Sequence, residues 1–334
     1  MRNLYFSNVP APYRADLCNF LYRELDCEIC FQEPGTMKMD IPLHNWTMKD
    51  VRPLIEKYRP TLVFVPEFSP VALRALSLRK RYGFKVISFC DDSMDMISGH
   101  DFGWKHCLAR FFVPERVDEI IVHSPAVQEW YQDRFGKGLL MPIIADERRI
   151  RPALERVLPM SERLRPGRKP IVGFVGRLVG LKNVPTLIRA FEPLKERAQL
   201  VIIGDGHEWA KLESMAPDAL FTGLQEGDNL LAWYNLIDIL VLPSTQEAYG
   251  AVTGEALMAG AKVVVSRHAG SSSLVKEGEN GYVVEPMDVS TITQRIAALL
   301  DTIDGQRPLT LRENLLPYRF SDCMETLSKE ISSL

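Results

Sequence analysis

Short apolar runs of strand length alternate with longer amphipathic stretches along this chain. In the C-terminal half the apolar runs are Ile171-Val-Gly-Phe-Val175, Leu200-Val-Ile-Ile203, Leu220-Phe-Thr-Gly223, Asp238-Ile-Leu-Val-Leu-Pro243 and Lys262-Val-Val-Val-Ser266. They lack the polar alternation of a half-solvated strand, and turn residues follow them. Such runs are parallel strands buried on both faces. A helix is predicted from Val184 to about Phe191, with Pro185 tolerated in its first turn, and another over about 251–259, stopped by Gly260. In the N-terminal half, residues 4–7, 61–66, 84–89 and 119–123 read as strands with helical stretches between them, the first over about 15–25. The alternation predicts an α/β protein of two doubly wound, Rossmann-like domains. Their expected extents are 1–155 and 165–315, with a linker near 147–168 where Arg, Glu and Pro replace apolar periodicity. A last helix within 316–334 is expected to cross back onto the first domain.

The richest chemistry lies in PSTQEAYGAVTGEALMAG, where seven residues separate Glu247 from Glu255. Glu247 falls on the loop at a strand's carboxyl end and Glu255 in the first part of the following helix, where open parallel sheets bind ligands. The amides around Ala251–Thr253 open that helix and suit a phosphate. Carboxylates on either side of a phosphate would be repelled by it, so they are expected to accept hydrogen bonds from sugar or ribose hydroxyls. A glycoside-hydrolase pair is the rival reading, but a hydrolase has no use for a phosphate cradle between its acids. Upstream, Arg177 and Lys182 place two cations at another strand's carboxyl end, fit for the growing charge of a departing diphosphate. Gly173 and Gly176 permit close backbone approach there.

Five ordered blocks carry a resemblance: GFVGRLVGLKNVPTLIRAF, VIIGDGHEWAKL, FTGLQEGDNLLAWYNLIDILVLPS, EAYGAVTGEALMAGAKVVVSRHAG and VKEGENGYVVEP. From Ile171 to about Pro286 the chain resembles the donor half of retaining, nucleotide-sugar-dependent glycosyltransferases of the GT-B fold, glycosyltransferase family 4. The resemblance implies two Rossmann-like domains facing a cleft. It implies that Arg177 and Lys182 bind the donor diphosphate, Glu247 holds hydroxyls of the transferred sugar and Glu255 the ribose. Gly176 and Gly206 are counted with the donor-binding residues. Tyr249, Gly250, Ala251, Val252 and Thr253 would cradle phosphate and sugar through their backbone, with Leu224 near the base. It further implies transfer without a metal or other cofactor. One departure is Ser273, standing where the family often has an acid.

Composition narrows the picture modestly. A chain of 334 residues with 46% apolar and 25% charged residues accommodates two domains, and a net charge of −3 gives no global pull toward nucleic acid. The pair Cys27 and Cys30 is a lone CxxC, read as reduced thiols in a strand. No run approaches the ~18 apolar residues of a spanning helix, and no signal peptide is recognised, so a cytoplasmic site is expected. In the first domain, Pro10 and Pro12 stiffen the loop after the first strand, and Tyr13 and Arg14 are expected to project toward an acceptor. Asp91, Asp92 and Asp95 invite a metal reading, but with cations already present they are expected to cap a helix or meet the acceptor. His123-Ser124 is expected to face the cleft or cap the next helix, with capping favoured. The basic and aromatic set Arg74, Arg79, Lys80, Arg81, Lys85, Trp104, Lys105, His106, Arg110, Phe111 and Phe112 is either a solvated face or a dock for the inner face of the plasma membrane.

The expected function is transfer of a sugar, with retention, from a nucleotide sugar (UDP favoured) to a hydroxyl of a glycan or lipid-linked saccharide, in cell-surface polysaccharide synthesis. A non-catalytic nucleotide-sugar-binding regulator and a GT-B nucleotide-sugar epimerase are the alternatives.

Overall fold

The computed structural model describes residues 2–8, 11–33, 41–98, 104–304 and 309–334, with backbone alone for Pro12 and 104–108. Val9 and Pro10, and the side chains of Trp104, Lys105 and His106, therefore lie outside the described residues. The chain forms two compact units, Met1–Ala145 with Phe320–Leu334, and Asp146–Arg319.

The first unit is built on β1 (Asn3–Ser7), β2 (Cys27–Phe31), β3 (Leu43–Asn45), β4 (Leu62–Pro66), β5 (Lys85–Phe89), β6 (Glu119–Val122) and β7 (Leu139–Leu140). They form one parallel sheet in the order β3-β2-β1-β4-β5-β6-β7. The second is built on β8 (Ile171–Val175), β9 (Gln199–Ile203), β10 (Leu220–Gly223), β11 (Ile239–Leu242), β12 (Lys262–Ser266) and β13 (Gly281–Val284). Its order, β10-β9-β8-β11-β12-β13, is also parallel throughout. Both orders reverse direction beside their first strand, at β1/β4 and β8/β11. Loops leaving the carboxyl ends of those strands border the crevice where such sheets bind ligands. The α/β expectation of two Rossmann-like domains holds.

Strand identity follows from burial. Every residue of β8 and β11 is buried, as a strand covered by helices on both faces requires. In the first unit, helices Pro70–Tyr82 and Pro125–Phe135 begin with proline in the first turn and end on left-handed Gly83 and Gly136. Cys27 and Cys30 lie in β2 as buried free thiols, and burial pushes the Cys30 thiol up to about 12, which leaves it inert.

The stretch expected to be a linker is helical instead, over Glu147–Arg156 and Leu158–Leu164, and belongs to the second unit. Its buried positions Ile150, Leu154, Val157 and Ser161 fall at helical spacing. That stripe is masked in the sequence by Arg, Glu and Pro152. Asn235 Nδ2 donates to the Leu154 carbonyl at 2.8 Å, and Arg151 donates to the carbonyls of Met258 (3.0 Å) and Arg312 (2.6 Å). The boundary thus falls at 145/146, and the last helix, Phe320–Ser333, groups with the first unit.

Candidate functional site

In the second unit, the loops after β8 and β11 are stitched together across the sheet's reversal point. The Thr245 amide donates to the Leu181 carbonyl at 2.9 Å. Asn183, left-handed at φ +53°, sends its side-chain amide to the carbonyls of Pro243 (3.1 Å) and Pro286 (2.8 Å) and accepts from the Thr186 hydroxyl at 2.8 Å. Three strand-end loops are thereby fixed by one buried asparagine. The loop after β9 joins them by close backbone approach. Gly204 has φ +136°, and a Cβ there would fall 1.9 Å from the Gly176 carbonyl oxygen; one on Gly206 would fall 2.3 Å from that of Leu178. Only glycine fits either place.

This scaffold brings Lys182 onto Glu247: the ammonium donates to the Glu247 carboxylate, and both side chains are largely buried. The sequence assigned them separate partners, and the structure joins them in one ion pair. Ser244 Oγ approaches the same carboxylate oxygen at 3.4 Å. Arg177, five residues before Lys182, is exposed and makes no ion pair among the described residues. Tyr249 is buried, and its carbonyl accepts from the Ser271 amide at 2.8 Å. Gly250 sits at φ +88°, where a Cβ would fall 2.7 Å from Leu242. The following helix, Val252–Met258, begins after Ala251, and Thr253 is buried with its hydroxyl 2.9 Å from that of Ser271. Ser273 spends its hydroxyl on the Gly270 carbonyl at 2.9 Å. Leu224, just past β10, is 68% exposed.

Glu255 lies within the helix Val252–Met258 and accepts a 2.5 Å hydrogen bond from the buried Tyr234 hydroxyl. Burial pushes its pKa up, and the Tyr234 bond and the charge of Arg149 work against that rise. Neither Tyr234 nor Asn183 stood out in the sequence. A tyrosine in LLAWYNL reads as core, and an asparagine before a helix reads as a cap.

The first unit gathers charge at the matching place. Arg14 is buried, donating to the Tyr5 hydroxyl at 3.1 Å and to Asp91, rather than projecting outward as expected. Tyr13, 37% exposed, lies beside the guanidinium at 5.7 Å. Asp91 also meets His123 Nε2 at 2.9 Å, while His123 Nδ1 lies 2.7 Å from the Met141 carbonyl. Burial opposes ionisation of Asp91, but Arg14 and His123 outweigh it and hold the carboxyl well below its ordinary range. Asp92 takes Arg110 at 2.9 Å and the Tyr131 hydroxyl at 3.1 Å. The capping expectation for Asp91 and Asp92 is thus corrected: Ser93 Oγ accepts from the Met96 amide in that turn instead. The capping expectation for His123-Ser124 is corrected likewise, because Ser124 makes no side-chain cap and His123 is spent on Asp91. Glu67, between β4 and the next helix, has a left-handed backbone at φ +46°, and burial with nearby Asp91 and Asp92 pushes its carboxyl up to about 7. Among the described residues no group of three or more His, Cys, Asp or Glu is placed to hold a metal ion, and no helix is long and apolar enough to cross a membrane.

Residues 169–302 match the family described as glycosyl transferases group 1. A GDP-mannose-dependent alpha-mannosyltransferase of Corynebacterium glutamicum is 39% identical over 122 residues, which is 36% of this chain and 29% of the relative. This chain thus spans under a third of that relative's length. A GDP-mannose-dependent alpha-(1-6)-phosphatidylinositol monomannoside mannosyltransferase of Mycolicibacterium smegmatis is 28% identical over 292 residues, covering 80% of this chain and 74% of the relative. Among solved structures, Anabaena HepE in complex with UDP superimposes with a TM-score of 0.79 at 17% identity, each chain fully covered. That likeness bears on the fold.

Proposed function

We propose, from the premise that residues 169–302 belong to the glycosyl transferases group 1, that the chain is a retaining glycosyltransferase using a nucleotide-sugar donor. The observation that carries the reading is the joining of Lys182, Glu247 and the exposed Arg177 by interlocked loops at the β8/β11 reversal point. A diphosphate entering there competes with Glu247 for the Lys182 ammonium, and the released carboxylate accepts from hydroxyls of the sugar. Arg177 and Lys182 then neutralise the leaving diphosphate, where charge grows in the transition state. Glu255 takes the ribose, the backbone of 249–253 lies along phosphate and sugar, and Leu224 lies near the base. The departing phosphate accepts the proton of the acceptor hydroxyl on the same face, so no protein nucleophile is required. With two cations at the diphosphate, the transfer is proposed to run without a metal. Acceptor recognition is assigned to the first unit, where Tyr13, Asp91 and Asp92 border the corresponding reversal point and Arg14 orients Asp91.

A UDP-sugar is the proposed donor, supported by the fold's likeness to a UDP complex. The mannosyltransferase relatives favour a GDP-sugar as the second reading. A mass-spectrometric screen for nucleotide release from UDP-, GDP-, ADP- and dTDP-sugars, without added metal, decides between them. Release from one class supports the reading and names the base; release from none contradicts it.

The acceptor is proposed to be a glycan or lipid-linked saccharide at the inner face of the plasma membrane, met by peripheral contact. Phe111 and Phe112 are 60% and 53% exposed on the helix Trp104–Arg116, and Leu73 is 50% exposed on Pro70–Tyr82. Arg79 and Lys85 both hold Asp118, so they serve the fold, whereas Arg74, Lys80 and Arg81 are exposed. Phe111→Ser with Phe112→Ser is expected to abolish sedimentation with anionic vesicles; unchanged sedimentation rules the contact out.

A further inference from the structure

We propose that Tyr234 is a positioning residue for Glu255: its hydroxyl holds one carboxylate oxygen and favours the ionised form, leaving the other oxygen to accept ribose hydroxyls of a nucleoside diphosphate. The inference rests on the donor-site reading given above.

Tyr234 is fully buried in the helix Gly227–Leu236, and its backbone carbonyl accepts from Arg312 Nη2 at 2.7 Å. Phenylalanine would fill the same space. The one polar atom of this side chain is spent on Glu255 Oε2, at the short distance typical of a hydroxyl donating to a carboxylate. No other hydrogen bond to the Glu255 carboxylate forms among the described residues, so a second oxygen remains for a ligand. A carboxylate that accepts from two hydroxyls must be ionised, and its burial disfavours ionisation.

The surrounding charges leave this task chiefly to Tyr234. On the helix Glu147–Arg156, Arg149 adds a supporting positive charge, while Arg151 is spent on the carbonyls of Met258 and Arg312. Arg156 pairs with Asp228 of the Tyr234 helix, and Glu147, Arg148 and Glu155 complete the charges of the first helix. Just before β11, Asp238 is held by Arg312 at 3.5 Å. The turn Gly270–Leu274 contributes only the hydroxyls of Ser271, Ser272 and Ser273.

Titration calorimetry of UDP and GDP into the full chain, from about pH 5 to about pH 9, tests this with Tyr234→Phe, Glu255→Gln and the double variant. Tyr234→Phe is expected to weaken binding about 3- to 10-fold near neutrality. Without the hydroxyl the Glu255 pKa rises further. The acid limb of binding therefore moves to higher pH, and the loss shrinks in alkali. In the Glu255→Gln background, Tyr234→Phe should change nothing further. A loss equal at every pH, or repeated in full in the Gln background, makes Tyr234 a packing residue and overturns the proposal. Failure of the unchanged chain to bind any nucleoside diphosphate overturns it together with the donor-site reading, and so separates the two failures.

Discussion

The two units share a strand order yet close the corresponding strand-end loops by different means. Around β8/β11 the loops close by backbone approach of Gly204 and Gly206 and by the Asn183 amide, leaving an exposed Arg177 and a Lys182–Glu247 pair. Around β1/β4 the loops close by side chains: Arg14 and His123 on Asp91, and Arg110 with Tyr131 on Asp92. The first arrangement offers cations and close-approach backbone, which suits an anion. The second neutralises its own charge, buries Asp92 and leaves only the part-exposed Asp91 carboxylate held in place, which suits hydroxyls. Under the proposed function, one topology would serve a donor-type and an acceptor-type chemistry, with the loops deciding which.

The comparison breaks most visibly at the glycines. Gly204→Ala is expected to destabilise the second unit by about 4 kcal/mol, through overlap with Gly176 and left-handed strain. Gly83→Ala in the first unit, also at positive φ but with nothing within 4 Å, should cost only about 1 kcal/mol. Thermal or urea denaturation measures both, and equal effects would deny that backbone closure is special to the second unit. Arg110→Ala probes the opposite device. It leaves Asp92 buried beside Tyr131, with an expected loss of about 3–5 kcal/mol in urea denaturation. A loss below about 1 kcal/mol would mean that side-chain closure is dispensable.

On activity, Arg177→Ala is expected to lower kcat by about 10²–10³ with the fold unchanged. Near-normal turnover would remove the cation from the leaving-group role.

The smallest effect concerns Glu67. Its carboxyl keeps its proton to about pH 7 in the folded state, whereas the unfolded chain loses it at the ordinary, lower value. Below the ordinary value both states are protonated and Glu67 costs nothing; the cost grows as pH rises and is complete above about 7. Glu67→Gln should therefore stabilise the chain by about 1–3 kcal/mol in mild alkali and leave it unchanged near pH 4. Equal stability at both pH values would show that the carboxyl is ordinarily hydrated.

The second unit was the more legible in the sequence because its signals are local. Its strands are unbroken apolar runs, and Arg177, Lys182, Glu247 and Glu255 follow them at short range. What escaped depends on distance along the chain. Arg14, Asp91 and His123 meet only when three strands align, the first pair 77 positions apart and the second 32. The Lys182–Glu247 pair spans 65 positions. The helices over 147–164 were hidden by their own polarity, since Arg and Glu outnumber the buried stripe.

The central claim is that the β8/β11 loops bind a nucleotide sugar through Arg177 and Lys182. Titrating UDP and GDP into the unchanged chain and into Arg177→Ala and Lys182→Ala tests it most directly. The account predicts binding of one nucleotide to the unchanged chain and at least about tenfold weaker binding in each variant. Binding of neither nucleotide, or equal binding to all three proteins, would contradict it.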